Sequence, residues 1–295
     1  MEYNHKPSLI GLDWGTSSFR GWLLDEEGKV LNAFRVDSGI MKVMNDDFFG
    51  VYQDQLSPWF EEYGKLPVIA SGMIGSRQGW VEAPYVACPS GPEELAEQMA
   101  YVPSVAQRGD TLMAIVPGMN HWHDGVPDVM RGEETQVFGA LDGLQSNEVF
   151  ILPGTHSKWV CSREGRIEDF VTFMSGELFS VMKDHSILGR LMKGEEEYQE
   201  SFERGVKQSL YAPDGLLSQL FSARTMGLFQ QINEEGIHSF LSGVIIGTEI
   251  KEGLSRFSLK LGNNNLSLKI IGEGKLVEVY DDALKFAGYH CERVP

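Results

Sequence analysis

Two short stretches of this 295-residue chain decide its fold: Asp13-Trp14-Gly15-Thr16-Ser17-Ser18 and Pro153-Gly154-Thr155-His156-Ser157-Lys158. A short apolar run precedes each, Leu9-Ile10-Gly11-Leu12 in the first case and Val149-Phe150-Ile151-Leu152 in the second. Another apolar run follows each, at residues 19–24 and at Trp159-Val160-Cys161. An acidic–glycine–basic turn comes next in both, Asp25-Glu26-Glu27-Gly28-Lys29 and Glu164-Gly165-Arg166, and extended sequence resumes at Val30–Val36 and from Ile167. Extended runs joined by Gly-containing polar turns are the mark of antiparallel hairpins. Gly15 and Gly28 are 13 residues apart, Gly154 and Gly165 are 11 apart, and the two copies are separated by about 140 residues. Hairpins with glycine turns recur in many α/β proteins, but a shared order with shared spacing predicts a duplicated domain, far longer than a solenoid repeat.

Working outward, Phe48, Tyr52, Leu56 and Trp59 fall at helical spacing, and Pro58 is expected to kink or end that helix. Residues 67–70 and 112–116 read as buried strands, and Pro92-Glu93-Glu94-Leu95 starts a helix with proline first and acids in the first turn. Residues 132–143 read as a helix with Val137, Leu141 and Leu144 on one side. The second copy continues with helices near 176–188, 198–210, 216–224 and 240–254, a last strand at 266–271, and a closing helix at 276–287. Strands alternating with helices predict an α/β protein. The domains are placed at 1–145 and 146–295.

Composition narrows the function classes. Apolar residues make up 42% of the chain, enough for a sizeable core. Acidic residues outnumber basic ones, 42 to 25, which argues against a nucleic-acid footprint while leaving room for a local anion site. Cys88, Cys161 and Cys291 are far apart and form no CxxC pair, so neither a disulfide framework nor a zinc site is supported. No apolar stretch approaches the roughly 20 residues of a membrane span, and the polar start, Met1 to Ser8, carries no signal-peptide pattern. A cytoplasmic protein with no membrane partner is expected.

A turn rich in Gly, Thr and Ser presents backbone N–H groups and hydroxyls at one point, which makes an anion cradle. Two such turns, one per domain, are suited to gripping a triphosphate across a cleft. Asp13, at the strand end, is placed to hold a Mg²⁺ that bridges phosphates, since magnesium takes one or two carboxylates plus waters. Lys158 adds positive charge beside the second turn. Neither GxxxxGK[ST] nor a strand-linked GxGxxG is present, so a nucleotide site here has to use the paired-hairpin scheme.

With these residues in hand, the two turns resemble the phosphate motifs of the sugar kinase, Hsp70 and actin superfamily, built from two similar ribonuclease H-like domains with ATP in the cleft between them. Within it, residues 10–23, Ala70-Ser71-Gly72-Met73-Ile74-Gly75-Ser76-Arg77-Gln78-Gly79-Trp80, Met130-Arg131-Gly132-Glu133-Glu134-Thr135-Gln136, residues 152–159 and Phe173-Met174-Ser175-Gly176-Glu177-Leu178-Phe179 resemble the 2-dehydro-3-deoxygalactonokinase family. The resemblance spans nearly the whole chain, and its middle blocks are more specific than the turns. It implies an α/β fold of two actin-like ATPase domains, with the sugar acid and first phosphate motif on the first and the second motif and adenosine on the second. It implies transfer of the ATP γ-phosphoryl group to the 6-hydroxyl of 2-dehydro-3-deoxy-D-galactonate in galactonate breakdown.

Residue by residue, Asp13 has a plain reading as a turn-former and a functional one in metal or phosphate chemistry. Gly15, Thr16, Ser17 and Ser18, with Gly154, Thr155, His156, Ser157 and Lys158, are the expected phosphate contacts, His156 lying inside the second turn. Glu133 and Glu134 stand where first-turn acids commonly complement a helix dipole. The resemblance also makes one of them the carboxylate that accepts the proton of the attacking hydroxyl, without choosing between them. Ser71, Gly72 and Met73 are expected around the substrate, and Arg77 or Arg131 is suited to its carboxylate through a planar guanidinium fork. Trp80 and Tyr85 read as packing residues, His121 and His123 as loop histidines, and Gly243 with Gly247 as a close helix contact. Gly272 and Gly274 fall where the superfamily's adenosine loop belongs, although that loop usually has adjacent glycines. The superfamily's second phosphate motif often carries an acid before its glycine, whereas Leu152 and Pro153 stand here, which speaks against a metal role for that domain.

Two other readings compete: a phosphohydrolase using Glu133 or Glu134 to activate water, and an actin-type ATP-binding sensor. The sequence leaves the oligomeric state, including a homodimer, open.

Overall fold

In the computed structural model of the chain, which describes residues 6–103, 105, 112–143, 147–194, 196–262 and 266–294, both predicted hairpins are formed. β1 (Pro7–Trp14), β2 (Phe19–Asp25) and β3 (Val30–Val36) form an antiparallel meander. Its second turn closes because Asp25 Oδ1 accepts from the backbone N–H of Glu27 (3.1 Å) and Lys29 (2.8 Å), while Gly28 takes φ +80°. α1 (Phe48–Tyr63) follows and buries Phe48, Tyr52, Leu56 and Trp59, the four positions read as its apolar stripe. Of the two outcomes expected of Pro58, a kink or an end, the second is excluded, because the helix runs through it to Tyr63. Pro58 and Asp54, whose carbonyl lacks its i+4 donor, both lie on the exposed side, where water can satisfy that oxygen.

β4 (Val68–Ser71) adds parallel to β1. β5 (Tyr85–Ala87) and α2 (Pro92–Glu97) follow, the helix fastened at its start by Glu94 Oε2 accepting from Gly91 N at 2.9 Å. β6 (Ala100–Tyr101) then pairs with β7 (Met113–Ile115), giving a six-stranded sheet of order β3-β2-β1-β4-β7-β6. β8 (Gly118–His123) and β9 (Val126–Met130) join β5 in a second sheet that the sequence reading missed. The signal for it was present: Asp124-Gly125, both at positive φ, is a two-residue hairpin turn. His121 and His123 are therefore strand residues of β8, their rings 4.4 Å apart, rather than loop histidines. α3 (Glu133–Gly139) is shorter than the predicted 132–143 helix, because Ala140 already stands in a turn and Gly143 takes φ +136°. Leu144 lies outside the described residues.

The second half repeats the plan. β10 (Asn147–Leu152), β11 (Ser157–Arg163) and β12 (Arg166–Phe173) form the meander, with Glu164 and Gly165 at φ +51° and +75° in its turn. α4 (Ser175–His185), α5 (Gln199–Tyr211), α6 (Leu216–Leu228) and α7 (Ile237–Leu261) follow. β13 (Leu268–Ile271) adds parallel to β10, and α8 (Lys275–Phe286) leads to β14 (Cys291–Val294), parallel to β13. The sheet order is β12-β11-β10-β13-β14. The reading of β13 as the last strand missed β14, a four-residue edge strand with two exposed residues and no run of apolar side chains.

Both halves thus carry three antiparallel strands followed by two parallel ones in the same order. The duplication read from the turns is a duplication of topology, the ribonuclease H-like arrangement of the actin-like ATPases. The chain divides into two compact units, Met1–Gly139 and Ala140–Pro295, each with its own core. In the first, Trp14 stacks on Phe19 at 4.1 Å and meets Phe48 and Trp80 edge-on. Trp80 is accordingly a packing residue. In the second, Trp159 is buried against Phe257 and Gly253, where a Cβ would come within 2.6 Å of its ring. Gly243 and Gly247 bring α7 onto α5 as read: a Cβ at Gly243 would stand 2.2 Å from the Phe202 carbonyl oxygen.

Candidate active site

In the first unit, three loops meet at one glycine. Asp13 ends β1, and hairpin register sets it opposite Arg20, whose Nη2 donates to Asp13 Oδ2 at 2.5 Å. The sequence reading missed Arg20, although counting back from the turn along paired strands leads to it. The other carboxylate oxygen, Oδ1, faces Gly72. That residue takes φ +95°, and a Cβ on it would lie 3.1 Å from Oδ1 and 3.0 Å from the Trp14 carbonyl oxygen. Gly132, at φ +107°, stacks on its other side, since a Cβ there would lie 3.1 Å from Gly72 Cα. Only glycine satisfies both the backbone angle and the space at these two positions. The structure therefore brings together Asp13, Ser71-Gly72 and the Gly132-Glu133-Glu134 segment.

The Gly15–Ser18 turn is closed by Gly15 N donating to Ser18 O at 2.9 Å. Its back is held by Gly39, Ile40 and Met41, whose N–H groups donate to Ser17, Gly15 and Thr16 carbonyls. Thr16 and Ser17 are left exposed, and Ser18 is half-buried.

Glu133 and Glu134 both fold back on the chain at the start of α3. Glu133 Oε2 accepts from Arg131 N at 2.9 Å. Glu134 is fully buried, and both its oxygens accept from Gly132 N, at 2.8 and 2.7 Å. Burial, reinforced by the negative charge of Glu133, pushes the Glu134 carboxyl up to about 7 against the pull of these hydrogen bonds. The Thr135 hydroxyl reaches Glu134 Oε1 more weakly, at 3.3 Å.

Arg77 and Arg131 separate clearly. Arg131 is buried, donates to the Ala83 carbonyl at 2.8 Å and packs 4.3 Å over the Tyr85 ring, so its guanidinium braces the loop before β5. Arg77 has an 84% exposed side chain, with Nε donating to Glu82 at 3.1 Å. Met73 begins a single 3₁₀ turn and is half-buried.

In the second unit, Thr155 and His156 form the exposed tip of the Gly154–Ser157 turn. His156 Nε2 meets Glu177 Oε2 at 2.5 Å, and Glu177 N donates to Thr155 O at 3.0 Å, so the first turn of α4 clasps the loop. Gly176 makes this approach feasible, because a Cβ there would lie 2.5 Å from the Gly154 carbonyl oxygen. Ser157 and Lys158 do not face outward as the sequence reading had them. Ser157 is fully buried with its hydroxyl 2.8 Å from Tyr280 OH, and Lys158, 5% exposed, donates to its own turn at the His156 carbonyl, 3.1 Å away. Both faces of β11 are covered, so its first two residues are buried although they point to opposite sides of the sheet.

Beside the turn opens a cavity of about 190 Å³ whose walls include Gly154, Gly176, Phe179, Ile245, Leu276 and Tyr280. Exposed Gly272 and Gly274 take φ +143° and +78° between β13 and α8, with Gly274 as the N-cap residue directly before Lys275 of that wall. A mostly apolar hollow next to a hydroxyl-rich turn suits a ligand with a flat apolar end and an anionic tail.

A sequence profile of the 2-keto-3-deoxy-galactonokinase family matches residues 13–295. The chain belongs to that family. It is similar to the 2-dehydro-3-deoxygalactonokinase of Escherichia coli (strain K12), 34% identical over 241 residues that cover 82% of this chain and 78% of that protein. It is equally similar, 34% over 288 residues, to a probable 2-dehydro-3-deoxygalactonokinase of Rhizobium meliloti (strain 1021), covering 96% of this chain and 90% of the relative. A crystal structure of a proposed 2-dehydro-3-deoxygalactonokinase from Sinorhizobium meliloti superposes with a TM-score of 0.87 at 34% identity, covering 97% of this chain and 93% of that one. Among the described residues of this family member, no helix is long and apolar enough to cross a membrane.

Proposed function

We propose that the chain is an ATP-dependent 2-dehydro-3-deoxygalactonokinase, transferring the γ-phosphoryl group to the 6-hydroxyl of 2-dehydro-3-deoxy-D-galactonate in galactonate catabolism. The observation that carries this reading beyond family membership is the meeting at Gly72 of two carboxylate-bearing segments with different environments. One is part-exposed and paired with arginine; the other is buried and half-protonated near neutral pH. Carboxylates whose environments set them apart take separate roles.

Phosphate binding is assigned to the Gly15–Ser18 turn of the first unit and to the Gly154–Ser157 turn of the second, each taken by itself, with Thr16, Ser17, Thr155 and His156 as the outward groups. Asp13 Oδ1, an oxygen kept open by the missing side chain of Gly72, fits the hard-oxygen preference of Mg²⁺. When bound, that ion offsets phosphate charge. Arg20 holds the carboxylate in place from the other oxygen. Glu134 accepts the proton of the 6-hydroxyl, which takes the position where the Thr135 hydroxyl now makes its weak contact. The hydroxyl oxygen forms the new P–O bond, the bond to the ADP oxygen breaks, and ADP leaves with the electron pair. The nucleoside occupies the 190 Å³ cavity near Gly272 and Gly274. Ser71, Gly72 and Met73 border the sugar acid. A cytoplasmic location fits an enzyme that draws on ATP.

The test is ADP release measured with a panel of aldonic and 2-keto-3-deoxy acids. Release should rise sharply with 2-dehydro-3-deoxy-D-galactonate; ATP turnover indifferent to every sugar acid would overturn the reading and revive the phosphohydrolase and sensor alternatives.

Arg77, whose side chain is 84% exposed, is the residue we assign to the substrate carboxylate. Arg77→Ala is expected to raise KM for the sugar acid roughly tenfold or more, the usual weight of a charged hydrogen bond, with KM for ATP within twofold. Equal effects on both substrates would remove this assignment.

A further inference from the structure

From Phe240 to Ile250, α7 is almost entirely apolar or small, yet Glu249, midway along the helix, is 2% exposed. A buried acid persists only where donors surround it. Here Trp159 Nε1 donates to Oε1 at 2.9 Å and Tyr280 OH donates to Oε2 at 2.7 Å. Ser157 Oγ stands 2.8 Å from the Tyr280 hydroxyl, and Gly154 N donates to Ser157 Oγ at 3.4 Å. Burial drives the Glu249 carboxyl upward while hydrogen bonding around it, with Ser175, Trp159 and Tyr280 among the groups, draws it back.

The directions of these bonds follow from valence. An indole N–H can only donate, so it occupies one carboxylate oxygen. The Tyr280 proton points at the other. The Tyr280 oxygen is thereby left as an acceptor, and Ser157 donates to it. Ser157 then keeps its lone pairs for the N–H of Gly154, the first residue of the exposed turn. One carboxylate deep in the unit orients three donors in series, Tyr280, Ser157 and Gly154, ending at the start of the turn. Tyr280 also lines the 190 Å³ cavity.

We propose that Glu249 is a positioning residue of this kinase: acting through Tyr280 and Ser157, it holds the Gly154–Ser157 turn in the pose that receives the nucleotide phosphates. The inference rests on the reading above that this turn binds phosphate. Glu249→Gln separates charge from shape. Its amide oxygen must face Trp159, so its NH₂ faces Tyr280 and donates there. The Tyr280 proton is then turned to Ser157, which accepts where it had donated and must redirect its own proton, so the ordered chain behind the Gly154 contact is lost. The relay reverses, and the turn keeps its clasp from α4 but loses this support from behind. Tyr280→Phe cuts the relay at its centre while leaving the ring in the cavity wall.

The experiment is calorimetric titration of the wild type and both variants with ADP and with adenosine. ADP affinity should fall tenfold or more in Glu249→Gln and Tyr280→Phe, with adenosine affinity within twofold of wild type. Equal losses for both ligands would assign these residues to the cavity wall, and unchanged ADP affinity would show that the relay does not set the turn; either result overturns the proposal. Should Glu249→Gln fail to fold, Tyr280→Phe carries the same comparison. Because binding needs no acceptor, a wild type that binds ADP yet phosphorylates no sugar acid would refute the kinase reading alone.

Discussion

Asp13→Asn is expected to lower kcat on the order of 10³-fold, the scale seen when one preorganised charge-stabilising group is removed from a reacting centre. The substitution keeps the size of the side chain and leaves an amide oxygen for Arg20. The fold should therefore survive, since a part-exposed ion pair contributes only about 1 kcal/mol. What is lost is negative charge at Oδ1, the oxygen that the glycine at position 72 keeps open. A second readout isolates that charge from turnover: Mg²⁺ should tighten ADP binding in the wild type and fail to do so in the variant. A variant with wild-type rates and an unchanged magnesium effect would eliminate Asp13 as the metal-side carboxylate.

Glu134→Gln carries the other large effect, a fall in kcat of about 10²- to 10⁴-fold, as expected for loss of a general base. Because a base works when deprotonated, wild-type kcat/KM should rise with pH and level off above about 7, the value to which burial and Glu133 push this carboxyl. The glutamine variant should lose that limb. Glu133→Gln should retain it but shifted to lower pH, since the neighbouring negative charge that raises Glu134 has gone. If Glu133→Gln is the variant that loses both rate and limb, the base is Glu133.

Stability moves the opposite way in Glu134→Gln. The carboxyl ionises near 4.5 in the unfolded chain and near 7 in the folded one. Below about 4.5 both states hold the proton. Between the two values the unfolded chain releases it and the folded chain does not, so stability falls as pH rises. Above about 7 the full cost, roughly 3 kcal/mol, is present. The variant should thus melt above the wild type at about pH 8 while being nearly inactive. A general-base role predicts this pairing, whereas a merely structural carboxylate predicts loss of stability without a lost pH limb.

Several parts of the fold were legible in advance because their causes are local. The Gly-Thr turns, the Gly28 and Gly165 turns and the α1 stripe each depend on residues within about a dozen positions of one another. Arg20 belongs to the same class, lying across a single hairpin from Asp13. The misses are of another kind. β5 has only three residues and gains its partner β8 more than 30 positions later. β14 is an edge strand without an apolar pattern. That Pro58 does not end α1 depended on which side of the helix meets water.

The candidate site divides along the same line. The residue types of the two turns and of the Glu133-Glu134 pair already specified anion binding and acid–base chemistry. Which glutamate has a raised pKa, and which arginine stays exposed, depended on burial. Ser157 is the sharpest case: its sequence marks it as an outward hydroxyl, and its partners are 123 residues ahead at Tyr280 and, through it, Glu249.

The sequence by itself determined the duplicated strand–turn–strand plan and the anion-binding character of its turns, because backbone conformation and hydrogen-bonding capacity are properties of neighbouring residues. Only the tertiary structure decided which of those groups face outward, which carboxyl is poised near neutrality and which buried acid anchors the second turn, because desolvation and hydrogen-bond direction are set by whatever distant chain packs alongside.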